Sequence, residues 1–317
     1  MKGPVIIPLD GSKLAKQAIP LAYSIAQRTN SNLLLLQVVP EERTPSFLHS
    51  DKTISSDEEV ASLQAQAETY LQRVAQQLNI EGGPSVSYAV AFGRAGESIA
   101  QVADEREASY IVMSTHGYTG ISRWLLGSVA DRVLHLTERP LLLICPPDTQ
   151  EYESIAKELS ELPKIKRIVV PLEGLPLAEQ ILPHAKKLAQ AYGKAEILLF
   201  HSIPAFPVIL VPVQTANLKK QWLELSHQEA QSYFANLVNE LRAEGHTVQF
   251  TIRVGMPAQE ILEYAAEVDA DLIMMTTHAR DGLNRFLLGS VTGKVVRAGQ
   301  LPVMVVRPVT TAAFSNQ

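Results

Sequence analysis

The sequence predicts two tandem α/β domains, each a doubly wound sandwich around a five-stranded parallel sheet. Three observations carry this. Long stretches of the first half recur in the second at a nearly constant offset. The short apolar runs in each half do not alternate with polar residues, as expected of strands covered on both faces. Between those runs lie segments with apolar residues at helical spacing, and strands alternating with helices build parallel sheets.

The repeat is read from matched residues. Pro8-Leu9-Asp10-Gly11 aligns with Pro171-Leu172-Glu173-Gly174 at an offset of 163, and Pro20 aligns with Pro183. Gly93 aligns with Gly255, His116 with His278, and Gly127-Ser128 with Gly289-Ser290, all at an offset of 162. Such self-similarity marks a duplicated domain with a small indel. It places a first domain at 1–146, a polar linker at 147–164 and a second domain at 165–310.

Within each half the elements follow one order. "PVIIPL" and "RIVVPL" read as the first strands. A helical segment follows, with Ala15, Ala18, Ile19, Ala22 and Ala26 on one face. Pro20 and Pro183 lie inside these segments, where a proline either kinks the helix or marks its true start. "NLLLLQVV" and "EILLFHSI" are the second strands. The next helices carry Leu63, Ala67, Tyr70, Leu71, Val74 and Leu78 in one half, and Ala230, Tyr233, Phe234, Leu237 and Leu241 in the other. "VSYAVAFG" and "VQFTIRVG" are the third strands, and "SYIVMS" and "DLIMMT" the fourth. A last helix and the strands "RPLLLIC" and "LPVMVV" close the halves. Ligands of such folds bind beyond the carboxyl ends of the strands, where the strand order reverses.

Composition narrows the function. The chain has 317 residues, 46% of them hydrophobic, and a formal charge of −5. That charge argues against a nucleic-acid backbone as partner. No apolar run approaches the roughly 18–20 residues of a membrane span. The run near the N-terminus is too short for a signal-peptide core. The single cysteine, Cys145, excludes an intrachain disulfide and suits a reducing compartment. It lies in an apolar run and reads as an inert core thiol, with a reactive or interchain thiol as the alternative. Together these imply a soluble, cytoplasmic protein.

The residues with chemical content surround the strand ends. "STHGYTGISRWLLGS" ends with Gly127-Ser128 before a helical pattern. The free N–H groups and partial positive charge of a helix start attract phosphate. Ser128 caps that helix or donates to a phosphate oxygen. Gly117 and Gly120 let a ligand approach the backbone, and Val129 follows on the helix. Asp10 could accept from ribose hydroxyls or an adenine amine, help hold a metal, or cap the first helix. Val38 and Val39 end the second strand beside a possible adenine slot, and Gly93 ends the third. His116 and His278 recur and serve phosphate or the turn itself. Arg123 and Arg285 are solvated loop charges or reach a γ-phosphate. Trp124 and Phe286 read as packing anchors.

These residues carry a family pattern, and each half resembles the universal stress protein domain. Nucleotide-binding members of that family show Gly-x-x-Gly, nine residues, then Gly followed by Ser or Thr, with an aspartate closing the first strand. Here Ser114-Thr115-His116-Gly117 precedes nine residues and Gly127-Ser128, so Ser114 replaces the first glycine. Asp10 holds the aspartate position. In the second half Thr276-Thr277-His278-Ala279 precedes nine residues and Gly289-Ser290, both early glycines are lost, and Glu173 replaces the aspartate.

The resemblance implies an adenine nucleotide alpha hydrolase-like fold and ATP, with or without Mg2+, as ligand of the first half. Its site would comprise Asp10, Val39, Gly93, Ser114, His116, Gly117, Gly120, Gly127, Ser128 and Val129. A weaker second site would comprise Glu173, Gly255, Thr276, His278, Gly289 and Ser290. The last strands of such domains commonly pair across a two-fold axis. An intrachain pseudo-dimer is therefore expected, with a homodimer and an unidentified protein partner left open.

The chain lacks a Gly-x-x-x-x-Gly-Lys-Ser/Thr loop, Gly-x-Gly-x-x-Gly, His-Glu-x-x-His, Cys-x-x-Cys and a Gly-x-Ser-x-Gly elbow. With no placed general base or arginine finger, slow ATP turnover is the most expected. The leading reading is a nucleotide-responsive stress protein without fast catalysis. A slow ATPase or adenylyl-group enzyme and a non-binding scaffold are the alternatives.

Overall fold

The computed structural model describes residues 3–40, 56–115, 126–145, 154–204, 216–277, 289–298 and 301–309. The chain divides into two compact units, Met1–Pro163 and Lys164–Gln317. His116, Gly117, Gly120, Arg123, Trp124, His278, Ala279, Arg285 and Phe286 lie outside the described residues.

In unit 1 the strands are β1 (Val5–Pro8), β2 (Leu33–Val39), β3 (Val86–Phe92), β4 (Tyr110–Ser114) and β5 (Leu141–Ile144). All pairings among them are parallel, and their order is β3-β2-β1-β4-β5. The chain builds outward from β1 to β3, then returns to the other side of β1. The topological switch point therefore lies between β1 and β4. The helices are α1 (Lys13–Lys16), α2 (Ile19–Thr29), α3 (Ser56–Leu78), α4 (Ala95–Glu105), α5 (Ser128–Leu136) and α6 (Ile155–Ser160).

Unit 2 repeats this plan. Its strands are β6 (Arg167–Pro171), β7 (Glu196–Pro204), β8 (Val248–Gly255), β9 (Leu272–Thr276) and β10 (Val303–Val306). Their order is β8-β7-β6-β9-β10, again with parallel pairing. Its helices are α7 (Pro176–Glu179), α8 (Leu182–Ala191), α9 (Ala216–Ala243), α10 (Pro257–Glu267) and α11 (Ser290–Ala298).

The central strands are apolar throughout because helices cover both faces. Val5, Ile6, Leu33, Leu35 and Ile111 in unit 1 are fully buried, as are Ile168, Val169, Leu199 and Ile273 in unit 2. Among the described strands β3 has one neighbour, and its Tyr88 and Phe92 are exposed. Cys145, just past β5, is partly exposed rather than a core thiol.

The prolines mark helix starts, not kinks. Pro20 lies in the first turn of α2 and Pro183 in the first turn of α8. There the missing N–H costs no helical bond and the fixed φ suits the helix. The single helical stretch expected in each half is accordingly two helices, α1 with α2 and α7 with α8. Ser12, not Asp10, caps α1, accepting the Ala15 N–H at 3.0 Å. Part of the polar stretch 147–164 forms α6, where Ile155 is buried. The carbonyl of Pro163 beyond it accepts the Ser24 hydroxyl of α2 at 2.7 Å. Among the described residues, no helix is long and apolar enough to cross a membrane.

One matched pair reverses charge between the units. In unit 1 the Lys16 ammonium lies 5.4 Å from the centroid of the Tyr70 ring. In unit 2 the corresponding Glu179 carboxylate accepts from the Tyr233 hydroxyl at 2.8 Å. Burial, then the Glu179 hydrogen bond and charge, push the Tyr233 phenol above its ordinary value of 10.0. The folded state therefore favours the neutral phenol. Its contribution is whole below pH 10 and is lost as pH rises toward the elevated folded value. Tyr233→Phe should cost about 1–2 kcal/mol at neutral pH. In urea unfolding the gap to wild type should shrink above pH 10; a gap that does not change with pH would contradict the assignment.

Candidate functional site

Three chain segments meet the switch point of unit 1. The β1 register, carried forward from Ile6 opposite Ile111, brings Asp10 level with Thr115. Asp10 is exposed, and its Oδ1 accepts the Ser12 N–H at 2.9 Å. This short turn holds the carboxylate at the strand's exit. On the β2 side, the Gly93 N–H donates to the Val39 carbonyl at 3.0 Å, so the ends of β2 and β3 are joined. Gly93 has a φ of 119°, a conformation that side-chain-bearing residues rarely adopt. Its glycine thus has a backbone reason as well as any ligand role.

On the β4 side, the Thr115 N–H donates to Ile144 O, and the Gly127 N–H donates to Thr115 O, both at 2.8 Å. The second bond joins the end of β4 to the start of α5, across the loop that contains the nine-residue spacer. Gly127 is the N-cap of α5, and no side chain caps that helix. Ser128 is the first helical residue, so the reading of Ser128 as the cap is corrected. The Gly127 N–H is occupied by Thr115, which leaves Ser128 and Val129 as the helix-start donors facing this end of the sheet. Ser114 and Thr115 are both buried. Asp10 level with Thr115, Val39 with Gly93, and Thr115 with Gly127, followed by Ser128 and Val129, are thus gathered along one edge, with Ser114 just before them on β4.

Unit 2 gathers the corresponding residues with different chemistry. The Thr277 N–H donates to Val306 O at 3.1 Å. A Cβ added at Gly289 would collide with the Thr277 carbonyl oxygen. The loop ends therefore close as in unit 1. Thr292, which stands where unit 1 has Ala130, donates its hydroxyl to Thr276 O at 3.0 Å. His201, in place of Gln37, donates from Nδ1 to Leu172 O at 2.8 Å and packs against Phe234. Glu173 follows Leu172. At the end of β8, the Glu260 side chain lies against Gly255, where unit 1 has Ser98. Ser12, Ser98 and Glu260 are site-edge residues absent from the motif-based reading. Aligning the two halves position by position would have exposed the Ser98–Glu260 difference.

A duplicated, doubly wound unit with a glycine-serine helix start at its switch point defines the Rossmann-like class with an adenine nucleotide alpha hydrolase fold. A universal stress protein from Archaeoglobus fulgidus has this fold, matching with a TM-score of 0.64 over 97% of each chain at 18% identity. A universal stress protein of Mycobacterium bovis aligns over 314 residues at 24% identity, covering 96% of this chain and 94% of the relative. One from Methanocaldococcus jannaschii is 32% identical over 143 residues, 45% of this chain and 82% of the relative. The chain belongs to the universal stress protein family, whose model matches residues 1–144 and 164–307.

The pinned glycine generates a prediction independent of any ligand. Gly289→Ala forces a methyl group into a backbone carbonyl and should destabilise unit 2 by about 1–3 kcal/mol. Urea unfolding of the full chain checks this. A variant as stable as wild type would show that the loop ends are not held together.

Proposed function

We propose that unit 1 binds ATP and that the chain acts as a nucleotide-responsive stress protein without fast catalysis. The observation that carries this reading is the start of α5. It has no side-chain cap, its Gly127 N–H is turned to Thr115, and it stands at the switch point beside Asp10. Backbone N–H groups at such a helix start bind phosphate oxygens, assisted by the helix dipole.

In this reading Ser128 and Val129 donate to the phosphates, with Ser114 and Gly127 shaping the cradle. Asp10 accepts from the ribose hydroxyls. Val39 and Gly93 border the adenine. His116, Gly117 and Gly120 belong to the same loop by sequence. Bound ATP would change the order of residues 114–128, and a protein partner would read that change. A bound Mg2+ would neutralise phosphate charge, with the Ser128 hydroxyl and the Asp10 carboxylate as the oxygen donors to hand.

The second unit is the weaker binder. Glu173 is longer than Asp10 by a methylene, and Ala279 adds a Cβ where the first copy has Gly117. The sequence lacks the Gly-x-x-x-x-Gly-Lys-Ser/Thr loop of fast nucleotide hydrolases, which favours retention over turnover.

Isothermal titration of the full chain with ATP tests the proposal. One ATP should bind per chain, and Gly117→Leu should remove binding. Mass spectrometry of the denatured protein should likewise find about one adenine nucleotide per chain at most. Two bound nucleotides would overturn the asymmetry, and none would overturn the site.

A further inference from the structure

We infer that residues 154–163 form a strap that opens and closes on unit 1 without unfolding it. Closed, it covers a stripe of α2 whose counterpart in unit 2 lies more exposed. None of these residues belongs to the proposed ATP site.

The strap consists of α6 and the residues that follow it. Ser154 caps α6 by accepting the Lys157 N–H at 3.2 Å. The helix packs against α2 and α3. Within 154–163 only Ile155 is buried, and Leu159 and Leu162 are partly exposed. Beyond the helix, the Pro163 carbonyl accepts the Ser24 hydroxyl at 2.7 Å.

The stripe it meets is specific to unit 1. Ser24 shares one face of α2 with Pro20 and Leu21, one helical turn before it, and all three are buried. Their counterparts at an offset of 163 are Pro183, His184 and Lys187. Pro183 and Lys187 are exposed, and His184 is partly exposed. The inner faces of the two helices do not differ. Ala22, Ile25 and Ala26 in α2, and Ala185, Leu188 and Ala189 in α8, are all fully buried. Both helices are therefore seated alike on their sheets, and the outer stripe alone changes. Unit 2 completes the same strand order with that stripe exposed, so the fold itself does not require a strap.

The strap is also the kind of element that opens alone. α6 has six residues, and a helix so short is not stable in isolation. Its structure therefore depends on its docking, and Ile155 is the buried anchor of that docking. Segments with few buried apolar side chains open locally at far lower cost than the core strands. Opening bares Pro20 and Leu21 on α2 together with Ile155 on the strap. The closed strap is thus an intramolecular cover over an apolar stripe.

Thiol labelling of the full chain tests this, with Cys145→Ala in the background because the native thiol is partly exposed. Ser24→Cys places a thiol under the strap, and Ala22→Cys places one on the inner face of the same helix. The thiol at 24 should react about tenfold or more faster than the one at 22, which is reached only when the unit unfolds. Urea below the unfolding transition should barely change the rate at 24 and should raise the rate at 22 steeply, since local opening exposes little surface. Adding Ile155→Ala should speed labelling at 24 by about tenfold or more. Equal rates at 24 and 22 with the same urea dependence would overturn the inference, because the strap would then open only with the whole unit. A rate at 24 unchanged by Ile155→Ala would overturn it too. Circular dichroism melting identifies variants that fail to fold, and Ala26→Cys replaces Ala22→Cys if needed. If Ser24→Cys does not fold, amide exchange of the unsubstituted chain decides. The Glu158 N–H, bonded to Ser154 O, should then exchange about tenfold or more faster than the Ala22 N–H, bonded to Ala18 O. Equal exchange would overturn the strap.

Discussion

The closure of the spacer onto the end of the fourth strand is the constraint on which the site depends. In unit 1 it is the Gly127 N–H on Thr115 O; in unit 2 it is Gly289 pressed against Thr277 O. A side chain at Gly289 has no room against the Thr277 carbonyl. The pin aims the start of α5 at the switch point and fixes where its N–H groups emerge. The glycine-serine pair is therefore explained twice, once by backbone packing and once by phosphate chemistry. The packing explanation is visible at Gly289. The phosphate explanation needs the further residues that unit 1 has and unit 2 has changed.

The changes in unit 2 share a direction. Thr292 turns its hydroxyl to the carbonyls that end β9, where unit 1 has an alanine. His201 bonds the carbonyl just before Glu173. Glu260 covers Gly255. Polar groups at the strand ends are thus satisfied from within the domain, and the edge becomes more acidic. The fold loses nothing, because the apolar strands and the loop pin remain.

Much of the fold was readable from the sequence because burial on both faces writes continuous apolar strands, and duplication writes each element twice. The parallel, doubly wound sheet followed from the alternation of strands and helices. The helix boundaries near Pro20 and Pro183 did not, because a proline is compatible with a kink and with a first turn until the backbone is seen. The role of Ser12 was hidden by the more conspicuous Asp10 two residues earlier. Ser128 as helix cap was a reasonable reading of residue type, yet the helix begins one residue too early for it. The site edge at Ser98 and Glu260 was invisible to motif reading, because neither residue belongs to a pattern. Residues 116–125 and 278–288 carry the rest of the motif and lie outside the described structure.

Amide hydrogen exchange of the full chain, with and without ATP, tests the account most directly, because it reads both units in one sample. The account predicts new protection at Ser128 and Val129, with Ser290 and Val291 exchanging as before. Equal protection in both units, or none at the start of α5, would contradict it.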